Sequence, residues 1–67
     1  MPITFFIVIK SEEKGTFILN TINGNEVLSG KFSEGNSKIN ISDLPGGIYL
    51  LNIKNAGRAF TKKLIIQ

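Results

Sequence analysis

The sequence predicts an all-β fold, a small immunoglobulin-like antiparallel β-sandwich of about six to seven strands. Three observations predict it. Apolar residues recur with period two along most of the chain. Turn formers such as Lys14-Gly15, Asn23-Gly24, Glu34-Gly35-Asn36 and Asn55-Ala56-Gly57 interrupt that alternation at short, regular intervals. No stretch of helical length repeats with a period of 3.6, and neither an internal repeat nor a low-complexity linker is present.

The first strand is expected over residues 3–10, with Ile3, Phe5, Ile7 and Ile9 on one face and Thr4, Phe6, Val8 and Lys10 on the other. Both faces are mostly apolar, so this strand should lie centrally or between two layers. The second is expected over residues 16–22 and the third over 26–32. Asn23-Gly24 between them carries the signal of a type I′ hairpin turn, because both residues tolerate positive φ. A short fourth strand, residues 38–41, would turn Ile39 and Ile41 inward and Lys38 and Asn40 outward. Ser42-Asp43-Leu44-Pro45-Gly46-Gly47 then sets polar and turn-forming residues around one leucine, the composition of a connection between layers or sheet edges. Residues 48–54 and 58–66 complete a last hairpin. The expected core includes Ile7, Ile18, Ile39, Ile41, Tyr49, Leu51 and Ile53.

Sixty-seven residues make at most one domain, and a chain this short buries only about 60% of the surface its unfolded form exposes. With neither Cys nor His, it has no disulfide and none of the usual zinc, haem or imidazole-base chemistry. Hydrophobic residues make up 42% of the chain, enough to argue against disorder. The apolar start, residues 1–9, lacks a basic flank and a cleavage site and runs into Lys10, Glu12, Glu13 and Lys14. It is expected to be a strand and not a signal peptide or a membrane span. The net charge of +3 is uneven: every acid lies within residues 1–43, while residues 44–67 hold Lys54, Arg58, Lys62 and Lys63. That basic third could steer an acidic partner, or form a solvated face with lysines guarding a sheet edge.

Three blocks resemble the type A C-terminal sorting domain of proteins exported by the bacterial type IX secretion system, also called the Por secretion system, of Bacteroidetes. They are Ile18-Leu19-Asn20-Thr21-Ile22-Asn23-Gly24-Asn25-Glu26-Val27, Ile39-Asn40-Ile41-Ser42-Asp43-Leu44-Pro45-Gly46-Gly47-Ile48-Tyr49-Leu50-Leu51, and Phe60-Thr61-Lys62-Lys63-Leu64-Ile65-Ile66-Gln67. Each is weak alone, since Asn-Gly hairpins and Gly-x-Tyr steps are widespread, but their order and spacing together are specific. In front, only Met1-Pro2 stands where the family has a Tyr-Pro-Asn-Pro-like segment. The expectation is one sorting domain over residues 1–67, at the end of a longer secreted protein or a divergent copy.

The resemblance implies a secretion signal, not an enzyme, that carries an attached cargo across the outer membrane. Its implied partners are the outer-membrane translocon and a sortase-like peptidase. Its implied route is through the periplasm to the cell surface or extracellular space. No cofactor or metal, no nucleic acid and no direct membrane insertion are expected. Recognition is expected at Lys62, Lys63, Leu64, Ile65, Ile66 and Gln67. Gly24, Leu44, Gly47 and Tyr49 are expected as structural hallmarks, Gly47 for its backbone freedom and Tyr49 as an inward ring with its hydroxyl bonded near the connection. Lys62 shares the parity of Phe60, Leu64 and Ile66, so it should sit at a bulge or reach past the core rim, with Lys63 outward. Unpaired strand edges would also allow an edge-strand homodimer.

The competing readings are weaker. A small immunoglobulin-like binding or adhesion module would place aromatic or polar clusters on loops, whereas Tyr49 and the phenylalanines fall in strands. A nucleic-acid-binding barrel interleaves cations with exposed aromatics, and Phe5, Phe6 and Phe17 have no basic neighbour in the sequence. Catalysis would rest on five carboxylates of which only Glu12 and Glu13 are adjacent, and neighbours on extended chain point to opposite faces.

Overall fold

Six strands form among residues 5–66, the residues that the computed structural model describes. They are β1 (Phe6–Ser11), β2 (Gly15–Thr21), β3 (Glu26–Phe32), β4 (Gly35–Asn40), β5 (Gly47–Asn55) and β6 (Arg58–Ile66). Ile3 and Thr4, the expected start of the first strand, lie outside the described residues, as do Met1, Pro2 and Gln67. All pairings are antiparallel and fall into two sheets, β1-β4 and β3-β2-β5-β6. The expected all-β sandwich is what the chain forms. Residues 41–46 carry it from the short sheet to the long one, the crossing that their composition predicts.

Parity along each strand builds the core. Ile7, Ile9 and Ile39 of the short sheet face Phe17, Leu19, Leu28, Phe32, Tyr49, Leu51, Ile53, Leu64 and Ile66 of the long one, and Ile41 and Leu44 close the cluster from the connection. Leu19, with no exposed surface, is its centre. Fully burying a side chain of this kind stabilises by about 1.5–3 kcal/mol, and in a chain without cysteine no disulfide supplements that.

Three expectations are corrected, and of the two placements expected for Lys62 one is removed. Ile18 is not in the core: it is 36% exposed on the outer face, while Phe17 and Leu19 point in. The inward set Phe17, Leu19 and Thr21 buries more apolar surface than Thr16, Ile18 and Asn20 would. The Phe17 ring also covers Gly30 on β3, where a Cβ would come within 3.0 Å of the ring edge. β1 is not central. Among the described residues it pairs only with β4 and no third layer forms, so Phe6 and Val8 on its outer face are each 51% exposed.

The turn after β2 is not type I′. Among the described residues Ala56 is the only non-glycine with positive φ, so Asn23 cannot occupy that conformation. Instead the Gly24 N–H donates to the Thr21 carbonyl at 2.9 Å, Gly24 takes φ 93°, and the Thr21 N–H donates to the Asn25 carbonyl at 2.8 Å. This is a three-residue loop whose last position is left-handed. The turn with two positive φ values is Ala56-Gly57, at 47° and 78°. Finally, no bulge accommodates Lys62, because the β5–β6 register runs unbroken from Gly47↔Ile66 to Asn55↔Arg58. The one register shift on β2 lies between Leu19 and Asn20, where Leu19 faces Leu28 and Asn20 faces Glu26, leaving Val27 as the extra residue of β3.

Candidate functional site

Register determines where the sequence-identified residues meet. Thr21 pairs with Tyr49, and Gly47 pairs with Ile66, so the β2–β3 turn, the 41–46 connection and the end of β6 share one end of the sandwich. At that end Gly24 closes the turn, and Leu44 packs half-buried against the core with its N–H donating to the Ile41 carbonyl at 3.1 Å. Gly47 has φ 156° and opens β5. Tyr49, 4% exposed, points inward, and its hydroxyl donates to the Pro45 carbonyl at 2.5 Å. The connection folds back on the strand it feeds because that hydroxyl and the Ile41–Leu44 turn both hold it. The preceding segment joins them: the Phe5 N–H donates to Ser42 Oγ at 2.8 Å and the Phe5 carbonyl accepts from the Ile41 N–H at 3.0 Å. Three blocks distant in sequence thus converge on one end.

β6 leads away from that end as an edge strand. Leu64 lies opposite Tyr49 and is half-buried, Ile66 is half-buried, and Ile65 opposite Ile48 is 61% exposed. Lys62 pairs with Leu51 and Lys63 with Leu50, and both are exposed. Lys62 therefore sits on the inward parity where the short sheet no longer covers β6, and Lys63 points outward. Gln67 lies outside the described residues.

The outer face of the long sheet carries a feature that period-two reading missed. Asn52 Nδ2 donates to Asn20 Oδ1 at 2.9 Å, and Thr61 Oγ1 donates to Asn52 Oδ1 at 2.9 Å, tying β2, β5 and β6 across the sheet. Outward parity at all three positions was the available signal. A second omission concerns Phe6, which has no basic neighbour in sequence yet carries Lys38 Nζ 5.5 Å from its ring centroid, across the β1–β4 pair.

The comparison with protein families decides what this arrangement is. The model of the secretion system C-terminal sorting domain matches residues 1–67, the whole chain. The chain belongs to that family. No curated protein and no solved structure matches it. The sorting domain is a C-terminal secretion signal for the type IX system. It interacts with that machinery, and its cargo is exported to the cell surface or extracellular space. The family is a signal family and not a catalytic one. Leu44, Gly47 and Tyr49, gathered at that end, belong to the blocks that carried the resemblance.

Proposed function

We propose that the sorting domain forms the end of a longer secreted protein and is recognised in the periplasm by the outer-membrane translocon through the β5–β6 hairpin. A sortase-like peptidase then removes it. The contact surface is the stretch of β6 from Lys62 to Ile66, exposed at Lys62, Lys63 and Ile65, together with Gln67. Gly24, Leu44, Gly47 and Tyr49 act indirectly, by fixing the connection from which the hairpin springs.

The observation that supports this reading is an edge strand of nine residues with an unbroken register on its paired side and, among the described residues, no strand paired on the other. The hairpin carries Lys54, Arg58, Lys62 and Lys63 and no carboxylate. A cationic strand with free backbone groups suits a partner that adds a strand of its own and offers acidic side chains. The same edge supports weak homodimerisation when the partner is absent.

The test fuses residues 1–67 behind a periplasm-directed fluorescent protein in hosts with and without a type IX apparatus. Lys62→Gln with Lys63→Gln keeps the strand and removes both charges. Export is expected to fall several-fold while the fold is retained. Export at the parental rate by a folded double variant would show that the charged stretch is only a solvated strand.

A further inference from the structure

The opposite end of the sandwich is not explained by sorting. There Lys31, Thr16, Lys54 and Ala59 form one row across β3, β2, β5 and β6. Neighbouring strands lie about 4.8 Å apart, so the two lysines stand roughly 10 Å apart at their backbones, with the Thr16 hydroxyl between them. Lys14 precedes β2 and Arg58 opens β6, and all four cations line an open depression of about 830 Å³. Ser33 lines it too, and no carboxylate does. Its wall includes the tight Ala56-Gly57 turn, which holds Lys54 and Arg58 at fixed places on either side of it.

Size and sign choose among anions. Glu12, Glu13 and Glu34 line a neighbouring depression that shares Lys14, Ser33 and Ala56 with the first. Positive potential therefore gives way to negative just beyond the site, which disfavours a long polyanion and favours a compact one. Several cations and two hydroxyls around one concavity match a group with three or more acceptor oxygens and more than one charge better than a carboxylate with two. We propose that this depression binds a compact phosphate-bearing anion, held by Lys14, Lys31, Lys54 and Arg58 with Thr16 and Ser33 as further donors. The phosphate is either free or presented by a lipid headgroup.

The experiment follows backbone amides of the ¹⁵N-labelled domain while sodium pyrophosphate is added, with acetate at matched ionic strength as control. Vesicles of phosphatidic acid in phosphatidylcholine, against phosphatidylcholine alone, form the second arm. Saturable changes at Gly15, Thr16, Gly57 and Arg58 are expected, with apparent affinity about tenfold lower in Lys31→Gln/Lys54→Gln and falling as salt rises. Lys62→Gln/Lys63→Gln should bind as the parent does. Response to pyrophosphate alone identifies a soluble source, and response to the phosphatidic acid vesicles a headgroup. No saturable change in either arm, equal response to acetate, changes spread over all cationic positions, or unaltered binding by Lys31→Gln/Lys54→Gln would each overturn the site. Amide dispersion establishes that each variant is folded, and the single Lys31→Gln repeats the measurement with the smallest perturbation.

Discussion

Ala56 is the one described residue whose side chain opposes its backbone. It holds φ 47° in the tight β5–β6 turn, where L-residues with a Cβ are disfavoured and Asn-Gly is the preferred pair. Ala56→Asn is therefore expected to stabilise the domain by about 0.5–1 kcal/mol, read as a higher urea midpoint at unchanged slope. Gly15 is constrained by space and not by conformation. A Cβ there would meet the Lys54 carbonyl, come 2.5 Å from the Phe32 ring and 2.8 Å from Asn55 Cβ. Since two of these contacts are backbone or Cβ atoms that cannot swing aside, Gly15→Ala should cost about 1–3 kcal/mol or more, checked by the same denaturation. Gly24 is the reverse case: nothing lies within 4 Å of its missing Cβ, and its constraint is the φ of 93°.

At the scale of elements, β2 shows how much a single parity decides. Leu19→Ala empties the centre of the core and should destabilise by about 2–5 kcal/mol. Ile18→Thr, one residue away on the solvent face, should stay within about 0.5–1 kcal/mol. Thermal or urea unfolding that ranked the two in the other order would contradict the register. All six strands were legible in the sequence, because turn formers punctuate period-two runs. Ile39 and Ile41 were legible as core because each alternates with polar neighbours, and Tyr49 and Leu51 because they share the parity of Ile53, opposite to the polar Asn52 and Lys54. Ile18 was not, because Phe17, Ile18 and Leu19 are all apolar, so alternation leaves the face undecided and only the Phe17–Gly30 fit across β3 settles it. The Asn23-Gly24 turn failed for a related reason. The loop type depends on where the third strand resumes its ladder, and the extra residue Val27 is invisible until the strands are paired. For the candidate site, the three blocks could be read from the sequence, but their convergence at the Tyr49 end and the row of Lys31 and Lys54 at the other required the pairing β3-β2-β5-β6.

For the molecule as a whole, the open question of surface is self-association. Two copies meeting along β6 in antiparallel fashion would bring their Lys62 and Lys63 side chains together, so the association should be weak at low salt and stronger when charge is screened. Sedimentation is expected to show monomer at micromolar and a monomer–dimer equilibrium at millimolar concentration, shifted toward dimer by salt or by Lys62→Gln/Lys63→Gln. A strict monomer at millimolar concentration in high salt would remove the homodimer. Whether such pairing can propagate is decided on the other side of the sheet. β3, the opposite edge, is kinked by the extra Val27 and thinned by Gly30, and among the described residues the two edges of the short sheet are six residues long each. In the language of polymer growth, the described edges give each molecule a valence of one: the first encounter consumes the one long, regular edge among them and terminates the chain, so a concentrated solution of these tails is expected to accumulate capped pairs and not fibres.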